Sequence, residues 1–373
     1  MKNRTIYYLC IEPLEERYTK QWYFWFPQAF KQADFTVEII DGEPLTDKII
    51  TGEFLDMNST LHYKAEQLKK IGKLFYEGKI KKDDIFFVAD LEFWGIESIR
   101  YLSVLNQIPV KIYGFLHAAS YYPEDFIEPC APFAQWFEKG WLTVCDKVFV
   151  GSQWHKDLII DHRYVNNLFD KIVVTGNPWD TKEALDLVGK VKKKNQIIYA
   201  DLPDYRKRPN IFLSLVPMIK RAYPETNIVL TTSRDSWGMK APWIGASARS
   251  LRDLGLLEIK QGLSKKEYYK TMAESKVMVS TNVVAESFGY CAVEAMTFDT
   301  HPILPDKFSY PELCDNDKDI LYDSFDGLIE LLTSALRKPK KTLLYAQKYD
   351  KAIDRIIEAI LTPEEPKSRY QMV

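Results

Sequence analysis

TNVVAESFGYCAVEAMTFDTHPILPDKFSYPE, residues 281 to 312, decides how this chain is read, because it joins an apolar strand to a helix through a Ser-Phe-Gly turn flanked by two glutamates. The run VMVS at 277 to 280 is apolar and largely β-branched, so it reads as a buried strand of a parallel sheet. The ligand crevice of such a sheet lies just past the carboxyl end of the strand, which places Glu286 at the crevice. Gly289 permits close approach to the backbone, and the amides of Tyr290, Cys291 and Ala292 open a helix whose dipole favours an anion such as a diphosphate. Glu294 lies about one helical turn further in. A plainer reading makes Glu286 a helix cap and Glu294 a solvated helix residue. The strand, turn and glycine around the pair favour the ligand site.

Working outward, apolar segments alternate with helical ones: TIYYLCI, TVEII, DIFFVAD, PVKIYGFL, KVFVGS and KIVVTGN, then, after Pro178, QIIYAD, NIVLTTS, LLEIKQG, KVMVSTN and HPILP. That is the pattern of parallel sheets with crossover helices, repeated in two halves of similar size. At 373 residues the chain exceeds one ordinary core and suits two α/β domains. The boundary falls at Asn177-Pro178. The tail from about 340 is amphipathic, with apolar residues at Ala352, Ile353, Ile356, Ile357 and Ile360.

Composition narrows the class of function. Apolar residues make up 46% of the chain and charged residues 27%, with a net charge of −2, which describes a globular protein and not a disordered or nucleic-acid-coating one. The five cysteines, Cys10, Cys130, Cys145, Cys291 and Cys314, have no paired spacing and suggest buried thiols in a reducing compartment. No apolar run approaches the ~18 residues of a membrane span, and the N-terminal run is too short for a secretory leader. The expected location is cytoplasmic. No two glycines stand two apart, so the G-x-G turn of an NAD or FAD site is missing. Asp315, Asp317 and Asp319 imitate the start of a calcium loop, but Ile320 stands where that loop needs glycine. No metal or cofactor is expected.

The stretch from Glu286 to Glu294, with the triplet Glu294-Ala295-Met296 and the later Pro311-Glu312, closely resembles the Glu-x(7)-Glu motif of retaining nucleotide-sugar glycosyltransferases of the GT-B fold, family-4 type. The resemblance implies two Rossmann-like α/β domains facing across a cleft. It implies an acceptor domain over 1–178, a donor domain over 179–339 and a terminal helix within 340–373 packing back on the first domain. Carried over residue by residue, Glu286 contacts the donor sugar and Glu294 the ribose, while Ser287, Phe288, Gly289 and Tyr290 line the phosphate turn. His117, ending the strand VKIYGFL, matches a histidine facing the sugar across the cleft. Lys207 matches the family's phosphate-binding lysine, whereas Leu202 stands where an arginine is expected, which passes that role to Arg206 or Arg208. A cationic start to a helix opposes the dipole and so asks for an anion. Ser152 and Asn177-Pro178 also match; Ser152 reads more simply as an N-cap.

On these grounds the expected activity is retaining transfer of a sugar from a nucleotide-sugar donor, a UDP-sugar, to a hydroxyl acceptor without a metal. The first loop departs from the family: CIEPLEERYTKQWYFWF replaces a glycine-rich turn and offers Glu12, Arg17 and Tyr18 as acceptor contacts, with Trp22, Trp25, Phe26 and Phe30 read as core. The Arg-Tyr-Thr-x-x-Trp opening is similar to that of bacteriophage glycosyltransferases, some of which act on hydroxymethylated pyrimidines in DNA, so modified DNA is one candidate acceptor. Alternatives are a saccharide or small-molecule acceptor, a phosphorylase of the same fold, and a non-catalytic protein binding a nucleotide sugar or nucleic acid. Lys190, Lys192, Lys193 and Lys194 read as a solvated face.

Overall fold

Six parallel strands form the first sheet: β1 (Thr5–Leu9), β2 (Thr36–Ile40), β3 (Ile85–Val88), β4 (Lys111–Phe115), β5 (Lys147–Val150) and β6 (Ile172–Val174), in the order β2-β1-β3-β4-β5-β6. A second parallel sheet holds β7 (Gln196–Tyr199), β8 (Asn227–Thr232), β9 (Glu258–Gln261), β10 (Val277–Val279), β11 (His301–Pro305) and β12 (Leu321–Tyr322), in the order β12-β11-β10-β7-β8-β9. The structure is a computed structural model that describes residues 4–14, 19–46, 56–232 and 242–362. Every apolar segment named above carries a strand. The short β12 was not among them, because two residues are too few to show alternation.

Helices cover both faces of each sheet, which is why the strands are continuous apolar runs. Successive side chains still part to opposite faces. In the first sheet Ile6, Tyr8, Ile85, Phe87 and Phe149 join one core, while Tyr7, Leu9, Phe86, Val88 and Val148 join another. In the second, Ile197, Tyr199, Val277 and Val279 part in the same way from Ile198, Ala200 and Met278. Trp22, Phe26 and Phe30, one face of the helix Thr19–Gln32, lie fully in the first core as expected. Trp25 instead sits at the rim, where its indole N–H donates to Glu183 at 2.8 Å.

Each sheet has one place where the strand order reverses. In the first it lies between β1 and β3, and in the second between β7 and β10. Loops at a reversal diverge to opposite faces and leave a crevice beyond the carboxyl ends of the two strands. The last described helix, Ala352–Leu361, returns to the first sheet: Ile356 and Ile360 are buried in the same core as Trp22 and Phe26. Burying each is worth ~2 kcal/mol. Arg355 fastens the crossing by donating to the carbonyls of Thr175 and Lys348, both at 2.7 Å. The preceding helix Leu343–Gln347 packs on the second unit, with Ala346 in the core that holds Ala292 and Ala295.

One reading of charge changes, and another gains its partners. Lys193 is not a solvated residue: its ammonium donates to the Ser275 carbonyl and the Thr300 hydroxyl, both at 2.7 Å, and burial pushes its pKa down to about 7. The three aspartates resembling a calcium loop are held by lysines, Asp315 by Lys348 and Asp317 and Asp319 by Lys340.

Candidate active site

Beyond β7 and β10 the chain gathers a compact charged cluster. Asp204 accepts from the Arg206 amide at 3.0 Å and starts the 3-10 turn Tyr205–Lys207. The Thr281 hydroxyl, just past β10, reaches the carbonyls of Lys207 and Arg208 at 3.0 and 2.9 Å and fixes that turn against the strand end. The Lys207 ammonium then lies 2.5 Å from Oε2 of Glu286. Asp201 is buried beside them and accepts from the Ser280 hydroxyl at 2.5 Å. Burial works against the Lys207 ammonium, but the carboxylates of Glu286 and Asp201 outweigh it and hold its pKa above the usual lysine value. Burial raises the pKa of Asp201, with Lys207 and Ser280 pulling it back. The crevice therefore holds a charged lysine between Glu286 and Asp201.

The turn that follows is built on Gly289. Its φ is +87°, and a Cβ there would stand 2.9 Å from the Tyr310 ring, so a side chain would be both strained and crowded. Gly289 caps the helix Tyr290–Thr297. Ser287 faces the first unit: its carbonyl accepts from the Ser152 hydroxyl at 2.7 Å, and Tyr122 lies beside it. Ser152 is also the N-cap read from sequence, accepting from the His155 amide at 3.1 Å. Phe288 lies in the core against Tyr349, not along the open turn. Tyr290 donates to the Pro178 carbonyl at 3.1 Å. Glu312 reaches back across the units and accepts from the amides of Gln153 and Trp154 at 2.7 and 2.8 Å, capping a first-unit helix from the second unit.

Glu294 is buried and accepts from the Tyr268 hydroxyl at 2.8 Å. Burial pushes its carboxyl up to about 7, and Tyr268 and the Lys265 charge limit the rise. Among the first-unit residues, His117 follows β4. Its Nε2 lies 3.0 Å from the Ala89 carbonyl, which can only accept, so Nε2 carries the proton. The ring packs on Trp22 and Phe115 at 4.8 and 5.1 Å. The loop carrying His117 to Tyr122 is braced from below. Glu138 accepts from the Ser120 amide at 2.8 Å, Arg163 donates to the Ser120 hydroxyl at 2.9 Å, and Arg163 and Glu138 form a buried ion pair. Because Tyr122 at the end of this loop meets Ser287, His117 belongs to the wall opposite the Gly289 turn.

Glu12 is less open than expected, 3% exposed and bonded to the Thr60 hydroxyl at 2.6 Å. Beside it, at the first sheet's reversal, Lys64 pairs with Asp90 at 3.0 Å, and the Glu92 carboxyl is pushed up to about 8 by burial and by Asp90. Arg17 and Tyr18 lie outside the described residues. The two arginines flanking Lys207 are engaged elsewhere: Arg206 with Asp204 at 2.9 Å and Arg208 with Glu124 of the first unit at 3.3 Å. Asp201, Tyr122, Lys64, Asp90 and Tyr268 were not singled out from sequence. Asp201 and Asp90 carried a signal, each an acid closing an apolar run, QIIYAD and DIFFVAD; the others need the fold to bring them in. Among the described residues, no group of three or more His, Cys, Asp or Glu side chains is arranged to hold a metal, and no helix is long and apolar enough to cross a membrane.

The chain matches no protein-family model and no curated protein by sequence. In three dimensions it is similar to sucrose-phosphate synthase from Thermosynechococcus elongatus, with a TM-score of 0.67, 12% identity and 96% of each chain covered. It is similar too to a glycosyltransferase from Rickettsia africae, with a TM-score of 0.64, 12% identity, and 96% of this chain and 98% of that one covered. HepE from Anabaena, in complex with UDP and glucose, aligns with a TM-score of 0.62 and 12% identity over 96% of this chain and 99% of its own. With two six-stranded parallel sheets flanked by helices and an alignment spanning nearly the whole chain, the protein has the GT-B fold of these glycosyltransferases.

Proposed function

We propose that the protein is a retaining glycosyltransferase that takes a sugar from a nucleotide sugar, a UDP-sugar, and places it on a hydroxyl acceptor. The observation that carries this reading is the Lys207–Glu286 pair at 2.5 Å, set at the second sheet's reversal beside a glycine turn that opens a helix. A diphosphate lodged there meets the ammonium, the amides at the helix start and its dipole; Glu286 is then free to accept from sugar hydroxyls. The overall alignment with HepE in its complexes with UDP and UDP-glucose supports a uridine donor.

In the reaction the acceptor oxygen bonds to the anomeric carbon while the bond from that carbon to the diphosphate oxygen breaks. The electron pair of the breaking bond goes to the diphosphate, which takes up the acceptor's proton on the same face, so configuration is retained and no carboxylate nucleophile is needed. Lys207 balances the charge growing on the leaving group, and such a placed donor contributes several kcal/mol. His117, with its proton fixed on Nε2, and Glu286 orient the sugar from opposite walls. This chemistry needs no metal.

Among the described residues at the first sheet's reversal, Glu12 accepts from the Thr60 hydroxyl, Lys64 is paired with Asp90 at 3.0 Å, and burial pushes Glu92 toward its neutral form. A lysine so paired offers little to a phosphate backbone, which favours a saccharide or another neutral polyol over a DNA duplex. The test is release of nucleoside diphosphate from a panel of nucleotide sugars, offered with saccharides and separately with duplex DNA containing hydroxymethylcytosine or hydroxymethyluracil. Turnover with saccharides that Glu286→Ala abolishes supports the reading. Turnover only with modified DNA overturns the acceptor assignment, and silence with every donor overturns the activity.

A further inference from the structure

The helix Ala131–Val144 turns aromatic rings to solvent: Phe133 is 53% exposed, Trp136 65% and Phe137 43%. Single exposed apolar side chains are ordinary, whereas a contiguous set marks a surface that binds something. These rings are also held in place. Half-buried Trp94 packs on Phe137 with centroids 4.8 Å apart and on Phe133 at 6.1 Å, and buried Trp141 meets Trp94 edge-on at 5.9 Å.

Position and charge indicate what covers them. Trp94 belongs to the loop leaving β3, the same loop that carries Asp90, the partner of Lys64, and Glu92, whose carbonyl accepts from Lys64. The rings therefore continue outward from the crevice at the first sheet's reversal. The segment running into the helix carries Glu124, Asp125 and Glu128, and Asp125 is near enough to Glu92 for its charge to be felt there. The helix itself has one cation, Lys139, lying over the Trp136 ring at 5.0 Å. Anionic lipid surfaces and single-stranded nucleic acids use rings together with clustered cations, so acids at this place disfavour both. A neutral sugar ring meets no such repulsion: its C–H face, positive at the hydrogens, lies on the negative face of an aromatic ring while its hydroxyls stay in water.

We propose that Trp94, Phe133, Trp136 and Phe137 form a saccharide subsite on which the non-reacting units of an oligosaccharide acceptor stack while its reacting hydroxyl lies in the crevice. The inference rests on the saccharide reading given above and gives that acceptor a class: a chain of several neutral sugar units, not a monosaccharide. Units bound away from the reacting hydroxyl supply binding energy that a monosaccharide cannot.

The experiment is titration of the full chain, followed by tryptophan fluorescence, with malto-, cello-, xylo- and chito-oligosaccharides of increasing length, each series beside its monosaccharide. Phosphatidylglycerol vesicles and oligothymidylate are titrated in parallel. At least one series should bind ~10-fold or more tightly as oligomers than as the monosaccharide, and Trp136→Ala combined with Phe133→Ala should remove that gain. Both side chains are exposed, so the thermal midpoint and the Kd for UDP serve as unchanged controls. The inference is overturned if no oligomer binds more tightly than its monosaccharide, if the gain survives loss of both rings, or if the rings are needed for vesicles or oligothymidylate instead. Ring-dependent oligosaccharide binding without transfer from any nucleotide sugar keeps the subsite and removes the transferase reading. Transfer to a monosaccharide and to its oligomers at equal KM removes this inference alone.

Discussion

Replacing Lys207 by methionine removes one positive charge and keeps most of the side chain's volume. Two unit charges 4 Å apart interact by about 4 kcal/mol at an effective dielectric constant of ~20, the value suited to a site near a protein surface. Lys207 is shared, however: its ammonium is 2.5 Å from Glu286 and also feels buried Asp201, so part of its field is already offset before a diphosphate arrives. We therefore place the loss near the lower end of the range for a transition-state donor, about 3 kcal/mol, or ~150-fold in kcat. Kd for the nucleoside diphosphate should rise less, because charge on the leaving oxygen grows as the bond breaks and the missing ammonium is missed most there. The fold should survive: Asp201 loses a cation but keeps the Ser280 hydroxyl, and its carboxyl, already raised by burial, is raised further. The assay is nucleoside diphosphate release at saturating donor, with thermal unfolding as the control. Lys207→Arg, which restores charge in a different shape, should recover part of the rate. A Lys207→Met protein that unfolds normally and turns over within threefold of the unaltered enzyme would refute the assignment of Lys207 to the leaving group.

Donor affinity should fall as pH drops through about 7, the raised value of Glu294, because the carboxylate proposed to accept from ribose is lost below it; titrations of UDP between pH 5.5 and 8.5 that show no such loss would disprove it. The stability effect runs the other way, since a carboxyl raised in the folded state binds its proton more tightly there, so Glu294 costs stability as pH rises from its unfolded value to about 7. Gly289→Ala should cost ~1–3 kcal/mol in chemical unfolding and weaken donor binding, since φ +87° strains alanine and the added Cβ meets Tyr310 at 2.9 Å; an unchanged midpoint would contradict this. Arg163→Ala leaves Glu138 buried without its cation and should cost ~3–5 kcal/mol, seen as a lowered urea midpoint. Glu312→Ala removes two charge-assisted bonds between the units, at 2.7 and 2.8 Å, and should separate their unfolding into two calorimetric transitions; one sharp transition would count against the clasp.

The fold was legible because parallel strands covered on both faces must be apolar throughout: IFFV at 85 to 88 and VMV at 277 to 279 announce themselves in any window. Glu286, Gly289 and Lys207 were legible for a related reason, since each follows a strand end closely enough that the crevice position is fixed by a few bonds. What escaped came from elements whose neighbours are distant in the chain. Tyr268 is an ordinary amphipathic-helix residue by pattern, and only the packing of two helices sets its hydroxyl 2.8 Å from Glu294. Lys64 lies in the middle of the helix Met57–Tyr76, and Asp90 follows a strand; neither type nor spacing marks them as a pair until the first sheet's order reverses between β1 and β3. The arginines show a partner the sequence does not reveal. Arg206 and Arg208 looked like phosphate ligands because the turn is cationic, yet Asp204 and Glu124 hold them, which leaves Lys207 as the residue of the three that meets Glu286. A local charge run states how much charge a turn carries, whereas the partner each charge takes is decided by what the other unit brings across the cleft. Here that unit brings Glu124 to Arg208 and Tyr122 to Ser287, so the crevice is shaped by the wall that faces it as much as by its own sheet.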